Sequence, residues 1–181
     1  GNARATVLAL CKGIGLTRNG VFESSFREEA ELDLFAEQVV WAGLTAWFLE
    51  CFEMGVAAGF SPELMVMELY ASGEAAEILG AMAHNGFFKQ MTNHSTTSQY
   101  GTLSRGPALI NDAMLAQARK NLYDDVKGGA FVQEWSREQA VGGARLQELT
   151  QRALKHPMSL AEDNVIAAMR AVHETPEGGK Q

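Results

Sequence analysis

The sequence predicts an all-α fold, and three observations carry that expectation. Apolar residues recur at helical spacing in nearly every segment, and no run alternates apolar with polar in the manner of a strand. Glycine, proline and cap residues also fall where helices should start and stop. A hydrophobic content of 46% can supply a real core for one domain. The formal net charge of −7 argues against nucleic acid or an anionic membrane as partner, since both need a basic stripe.

The first helix is expected from about Ala3 to Lys12, closed by Gly13 and Gly15, with a turn following at Asn19-Gly20. A second, from about Glu31 to Gly55 or Ala58, contains the uncharged run Val39–Leu49 and has Gly59 as its stop. That run is too short to span a membrane and reads as a helix buried inside protein. In the third helix Ser61 is the N-cap, Pro62 takes the first turn, Glu63 complements the dipole, and Asn85-Gly86 ends it. The polar stretch "TNHSTTSQYGTLSRGP" is expected to interrupt the helices. Helices from about Asp112 to Lys127, Phe131 to Ala140 and Gly143 to Lys155 follow, and His156-Pro157 breaks the chain before a last one from about Ser159 to His173. The single domain is therefore expected over residues 1–173, and the tail "ETPEGGKQ", residues 174–181, has the composition of disorder. Cys11 and Cys51 make no disulfide framework, and no secretory signal pattern is visible, so a reducing cytoplasm is the expected compartment.

The acids of "ELDLFAEQVVW" pose a chemical question. At about 100° per residue, Val40, Trp41, Leu44, Phe48 and Cys51 form one stripe, which projects back through Glu37 and Asp33. Carboxylates at i and i+4 point the same way, and on a buried face their repulsion and desolvation need offsetting. Such a pair can share a divalent cation, and hard oxygen donors with no His or Cys nearby favour Mg²⁺ over zinc. The plainer reading is a frayed first turn, where acids suit the helix dipole.

Glu68 is a second candidate, an acid on a face shared by Leu64, Ala71, Ala75, Leu79 and Met82. Its plainer reading is a pairing with a buried Arg or Lys. "NHSTTSQYG" is a third, dense in hydroxyls and amides that can bind an anion or merely satisfy their own backbone. The four histidines lack metal-ligand spacing, and "KGIG" has no strand before it to make a dinucleotide fingerprint.

Together these motifs resemble the C-terminal, all-helical domain of ketol-acid reductoisomerase, of the shorter class, from about Ala9 to about His156. "CKGIG" echoes the family text ending the first helix, and "ELDLFAEQ" resembles its acidic run followed by D-L-F-G-E-Q. "GFSPELMVMEL", "STTSQYGTLSRGP", "GGAFVQEW" and "KHP" follow in the family's order. The resemblance implies a fold like the C-terminal domain of 6-phosphogluconate dehydrogenase, built as an intertwined, knotted homodimer. It implies Mg²⁺-dependent alkyl migration in a 2-acetohydroxy acid, then reduction by NADPH, in branched-chain amino acid biosynthesis. Asp33 would bridge two Mg²⁺ ions, Glu37 would bind one, and Glu68 would approach the second from the partner subunit. Ser95 would hydrogen-bond the substrate carboxylate. The family's NADPH-binding domain lies N-terminal to "KGIG" and is absent from this chain, so the isolated chain is expected to be inactive.

Two departures from the family stand out. Its second glutamate, four residues after the one matched by Glu68, falls on Ser72 when counted from Pro62 and on Glu74 when counted back from Gly86. The conflict predicts an irregularity between about Tyr70 and Gly73, with Glu74 brought towards Glu68. Gln99 also stands where the family has an acid before its Tyr-Gly pair. Other classes fit the same residues: a divergent, non-catalytic dimerisation module, or the substrate domain of another β-hydroxyacid-type dehydrogenase.

Overall fold

The computed structural model describes residues 2–174, and every regular element among them is helical. The expected disordered tail lies, from residue 175 on, outside the described residues. The chain divides into two compact units, one up to Leu34 and one from Phe35 onwards.

The first unit holds α1 (Ala3–Gly13), a 3₁₀ turn (Leu16–Asn19) and α2 (Phe26–Phe35), whose last residue begins the second unit. Asn2 caps α1 by accepting the Ala5 N–H at 3.2 Å. Gly15 and Gly20, both at positive φ, flank the turn. Helix α2 starts five residues earlier than Glu31 because Ser25 Oγ accepts the Glu28 N–H at 3.0 Å and supplies a cap. Neither helix has a buried residue.

In the second unit a π-turn (Ala36–Trp41) leads into α3 (Ala42–Ala57). Gly59, at φ 98°, ends α3, and the Phe60 N–H returns to the Gly55 carbonyl at 3.1 Å in the manner of a Schellman motif. Then come α4 (Pro62–Val66), a second π-turn (Met67–Ala71), α5 (Glu74–Asn85), a 3₁₀ turn (Lys89–Asn93) and α6 (Thr96–Leu109). Helix α7 (Asp112–Lys120) runs into a third π-turn (Asn121–Lys127), followed by α8 (Ala130–Ala140), α9 (Ala144–Leu154) and α10 (Pro157–Glu174).

The core of this unit gathers Phe52 from α3, Val66 from α4, and Ala161 and Val165 from α10. Met65, Tyr70 and Met158 pack around them. Ser61 is the N-cap as expected, accepting the Leu64 N–H at 3.2 Å, and Gly86 closes α5. Asn164 Nδ2 donates to Glu63 Oε1 at 3.0 Å and ties α10 to α4. That hydrogen bond holds the Glu63 carboxyl below the usual carboxylate range.

Several expectations are corrected. The apolar helix is not buried within this chain: Phe52 alone in α3 is buried, while Val40 and Trp41 are 50% and 52% exposed. The helical run Phe26–Ala57 is, by length and composition only, long and apolar enough to cross a membrane, and no charge-free run within it is that long, so the expectation on a membrane span is not overturned. The stretch after Thr92 is not a loop but helix from Thr96, because Ser95 Oγ accepts the Ser98 N–H at 3.2 Å and starts α6. The helix after Pro62 is not continuous, so Leu64 and Leu79 share no buried face and are 66% and 47% exposed. The irregularity expected near Tyr70–Gly73 is present, as a π-turn followed by Gly73 at φ 90°.

Candidate functional site

Each candidate acid has a definite local setting. Asp33 lies in the last turn of α2, in the first unit, and is exposed. Glu37 is the second residue of the first π-turn, and Glu68 is the second residue of the next. Both are exposed, as is Glu74, the first residue of α5. The expectation that Asp33 and Glu37 sit on a buried face is thus corrected for this chain, as is the pairing of Glu68 with a buried cation. The stripe projected at constant helical pitch does not survive the π-turn, which shifts the phase of every residue after it. Among the described residues no group of three or more His, Cys, Asp or Glu side chains is close enough to hold a metal.

The donors nonetheless have the right chemistry for a hard cation. The carboxylates of Asp33, Glu37, Glu68 and Glu74 are solvent-facing oxygens engaged in no hydrogen bond or ion pair within the described residues. Mg²⁺ keeps several waters and takes one or two carboxylates, so a sparse set of free acids suits it.

Sequence reasoning anticipated an irregularity only near the second π-turn, which carries Glu68, and missed the first, which carries Glu37, and the third. Their tertiary ties explain how they persist. The Asn121 side-chain N–H, in the third π-turn, donates at 3.2 Å to the carbonyl of Gln38 in the first. From the second, the Tyr70 phenol donates to Glu162 Oε1 on α10, and the Tyr70 ring stacks on Phe48 of α3. Burial pushes the Tyr70 phenol above its ordinary range, and the adjacent Glu162 carboxylate adds to the shift. These partners stand 92 residues apart in Tyr70 and Glu162, and no local signal announces such a pair.

Tyr70 and Glu162 line a cleft of about 580 Å³ between α3, α9 and α10, with Phe48, Arg152 and His156. His156 Nδ1 accepts the Met158 N–H at 3.2 Å, so in the neutral ring Nε2 carries the proton and donates to Glu53 Oε1 at 3.0 Å. His156 thus acts structurally, tying the start of α10 to Glu53 of α3.

Ser95 is exposed at the N-terminus of α6. Its oxygen accepts one backbone N–H as a cap, which leaves the O–H free to donate to an anionic oxygen. Behind it, Gln90 is 3% exposed and accepts from His94 Nε2 at 2.7 Å. Gln99 donates to the His94 carbonyl at 2.8 Å, a bond that an ionised acid at that position has no hydrogen to make.

Comparison with known proteins agrees with these landmarks. Residues 26–171 match the family model described as ketol-acid reductoisomerase, C-terminal domain. A ketol-acid reductoisomerase (NADP(+)) of Pyrobaculum calidifontis is 38% identical over 159 residues, covering 87% of this chain and 48% of that protein. A solved NADH-preferring ketol-acid reductoisomerase from an uncultured archaeon superposes with a TM-score of 0.80 at 27% identity, covering 93% of this chain and 49% of its own. The chain thus spans about half the length of the relatives it matches. With the acidic run of α2, the Pro62 helix and the α6 N-terminus all falling inside the matched region, the chain belongs to the ketol-acid reductoisomerase family and carries its C-terminal domain.

Proposed function

We propose that this chain is the metal- and substrate-binding half of a ketol-acid reductoisomerase. The reaction is alkyl migration in a 2-acetohydroxy acid followed by reduction with NADPH, in cytoplasmic branched-chain amino acid biosynthesis. The observation that carries the reading is the family match over residues 26–171, which includes Asp33, Glu37, Glu68, Glu74 and Ser95. The nicotinamide is assigned to a nucleotide-binding domain outside the chain.

Asp33, Glu37 and Glu68 are the residues that would hold Mg²⁺, with Glu68 contributed by the partner subunit of a homodimer. Bound there, the metal supplies Lewis-acid polarisation of the substrate ketone. The chain's own residues do the rest. Ser95 donates its free O–H to the substrate carboxylate, and the α6 N-terminus behind it adds a favourable dipole. Glu74 takes the place of the family's second glutamate, a reading supported by the helix interruption at Ser72 and Gly73, after which α5 begins at Glu74. The uncommitted state of the four carboxylates supports a ligand role, since no internal pair has to be broken to bind a cation.

Calorimetric unfolding with and without millimolar Mg²⁺ tests the reading. Binding to the folded state alone stabilises by RT ln(1 + [L]/Kd), about 2.7 kcal/mol at roughly 100 times Kd. The expected result is a raised Tm in the native chain and no rise in an Asp33→Asn variant. Identical Tm values with and without Mg²⁺ in both proteins would overturn it.

A further inference from the structure

Glu68 sits in a turn that local sequence does not favour. Around Met67–Ala71 the ladder runs five residues back, with the Ser72 N–H reaching the Met67 carbonyl at 3.1 Å. The turn then stops at Gly73, whose φ of 90° favours glycine, and the Gly73 N–H returns to the Tyr70 carbonyl at 3.1 Å. A π-turn is rare beside the α-helix that the same residues could form. Contacts from outside the turn must therefore stabilise it.

Apolar packing supplies some of that support, since Met67, Leu69 and Ala71 lie against the core cluster. It is not directional, and a slipped register can bury similar groups. Tyr70, two residues after Glu68, supplies the directional part. Its ring lies nearly parallel to that of Phe48, with centroids 6.1 Å apart and planes 8° apart. Its phenol donates to Glu162 on α10, a helix already fixed to α4 through Asn164 and Glu63. Both ends of the tyrosine are thus held by elements other than its own turn.

We propose that Tyr70 and Glu162 are positioning residues for Glu68. By locking the π register of Met67–Ala71, they set the direction in which the Glu68 carboxylate leaves the turn. Closing the extra residue into α-helical pitch would change by about 100° the phase between Glu68 and the residues after the turn, so a carboxylate near its start and a helix held at its end could no longer face one fixed cation. The proposal rests on the reading of Glu68 as a metal ligand and assigns Tyr70 and Glu162 no contact with metal or substrate.

The test uses the full chain and Mn²⁺ as the probe, with binding followed by electron paramagnetic resonance and turn integrity by amide hydrogen exchange. Tyr70→Phe keeps the ring and removes the hydroxyl. It is expected to speed exchange at Ser72 and Gly73 about fivefold and to weaken Mn²⁺ binding by up to the same factor, with the amides of the core helices accelerated no more than that. Glu162→Ala should do the same, and Glu162→Gln, which keeps an acceptor, should stay within about twofold of the native chain. Mn²⁺ binding that depends on Glu68 but is untouched by Tyr70→Phe overturns the positioning role, even if exchange accelerates. Mn²⁺ binding equal in the native chain and a Glu68→Gln variant, or none in either, overturns the ligand reading and the proposal with it.

Discussion

The thioether of Met65 occupies the space where a side chain on Gly55 would begin. A Cβ at Gly55 would stand 2.4 Å from Met65 Sδ and 2.5 Å from Cε, so α3 and α4 meet with nothing between backbone and thioether. Two effects oppose each other when alanine is placed there. Replacing a glycine in the last turn of a helix gains at most about 0.5–1 kcal/mol in propensity, while overpacking a core contact costs about 1–3 kcal/mol. The partly buried Met65 packs against the buried cluster, so moving its thioether aside gives up part of that packing, and the steric cost wins. Gly55→Ala is expected to destabilise by about 1 kcal/mol in urea unfolding. Met65→Ala should cost less in that background than in the native chain, and equal costs in the two would show that the contact does not set the α3–α4 distance.

Replacing Gln99 by the acid of the family pattern is expected to destabilise the chain. The Gln99 amide donates to the His94 carbonyl, and a carboxylate facing that oxygen loses the hydrogen bond and adds repulsion. Gln99→Glu should cost about 1–2 kcal/mol near neutral pH. Repulsion raises the folded pKa of such a carboxyl above its unfolded value of about 4.3, so the difference between the two proteins should shrink as pH falls from about 6 to about 4, where a protonated carboxyl can donate. A difference that is constant from pH 4 to pH 7 would count against this account.

Much of the fold is legible in local sequence, because caps and stops act within a few residues. Asn2, Ser61 and Gly86 do what their residue types predict, through a side-chain oxygen on a free N–H or a positive φ. Ser95 shows the same rule misapplied: its cap is as local as that of Ser61, but the hydroxyl-rich text after it resembles a loop. The π-turns are legible only in part. Glu68's turn left a trace because two counts between fixed landmarks disagree, whereas Glu37's left none. Its stabilising bond comes from Asn121, which is 83 residues away. Burial of the apolar stripe is not legible at all from one chain, since Val40 and Trp41 are half exposed within it.

The Tyr70–Glu162 hydrogen bond should give the chain an alkaline stability signature. The folded phenol has a raised pKa, so its protonated form is favoured in the folded state. Its contribution is therefore fully present below about pH 10, where an unfolded tyrosine is still protonated. It is lost as pH rises from there through the higher folded value, because the unfolded chain releases the proton first. The bond is only partly buried, so about 1 kcal/mol is the expected difference between the native chain and Tyr70→Phe at pH 8. That difference should fall steadily above pH 10, and the other tyrosines and the lysines cancel because both proteins carry them. A difference that persists unchanged to pH 11.5 would mean the hydroxyl is not the source.

The final prediction concerns what covers the apolar side of the first π-turn and α3. Val40, Trp41 and Met54 are 50%, 52% and 55% exposed, and the only buried side chain of α3 is Phe52. Fully covering a side chain of this size gains roughly 1.5–3 kcal/mol, so a few such residues together can drive association. A second copy is the expected cover, because the family reading has Glu68 complete the site of the other subunit and so requires the two chains to be in contact. Sedimentation velocity at micromolar concentration should give a dimer, with Val40, Trp41, Leu44, Trp47 and Phe48 shielded. Trp41→Glu should dissociate it or prevent its formation, since a buried carboxylate without a partner costs several kcal/mol. Intertwined chains predict a further property: subunit exchange between labelled dimers should be no faster than unfolding, because strands of such an assembly separate only by unthreading. The competing cover is a lipid bilayer, which the helical run Phe26–Ala57 is long and apolar enough to enter. A native chain that sediments as a monomer and floats with neutral lipid vesicles would establish that cover instead, and rapid exchange between stable dimers would replace the intertwined arrangement with a simple face-to-face pair.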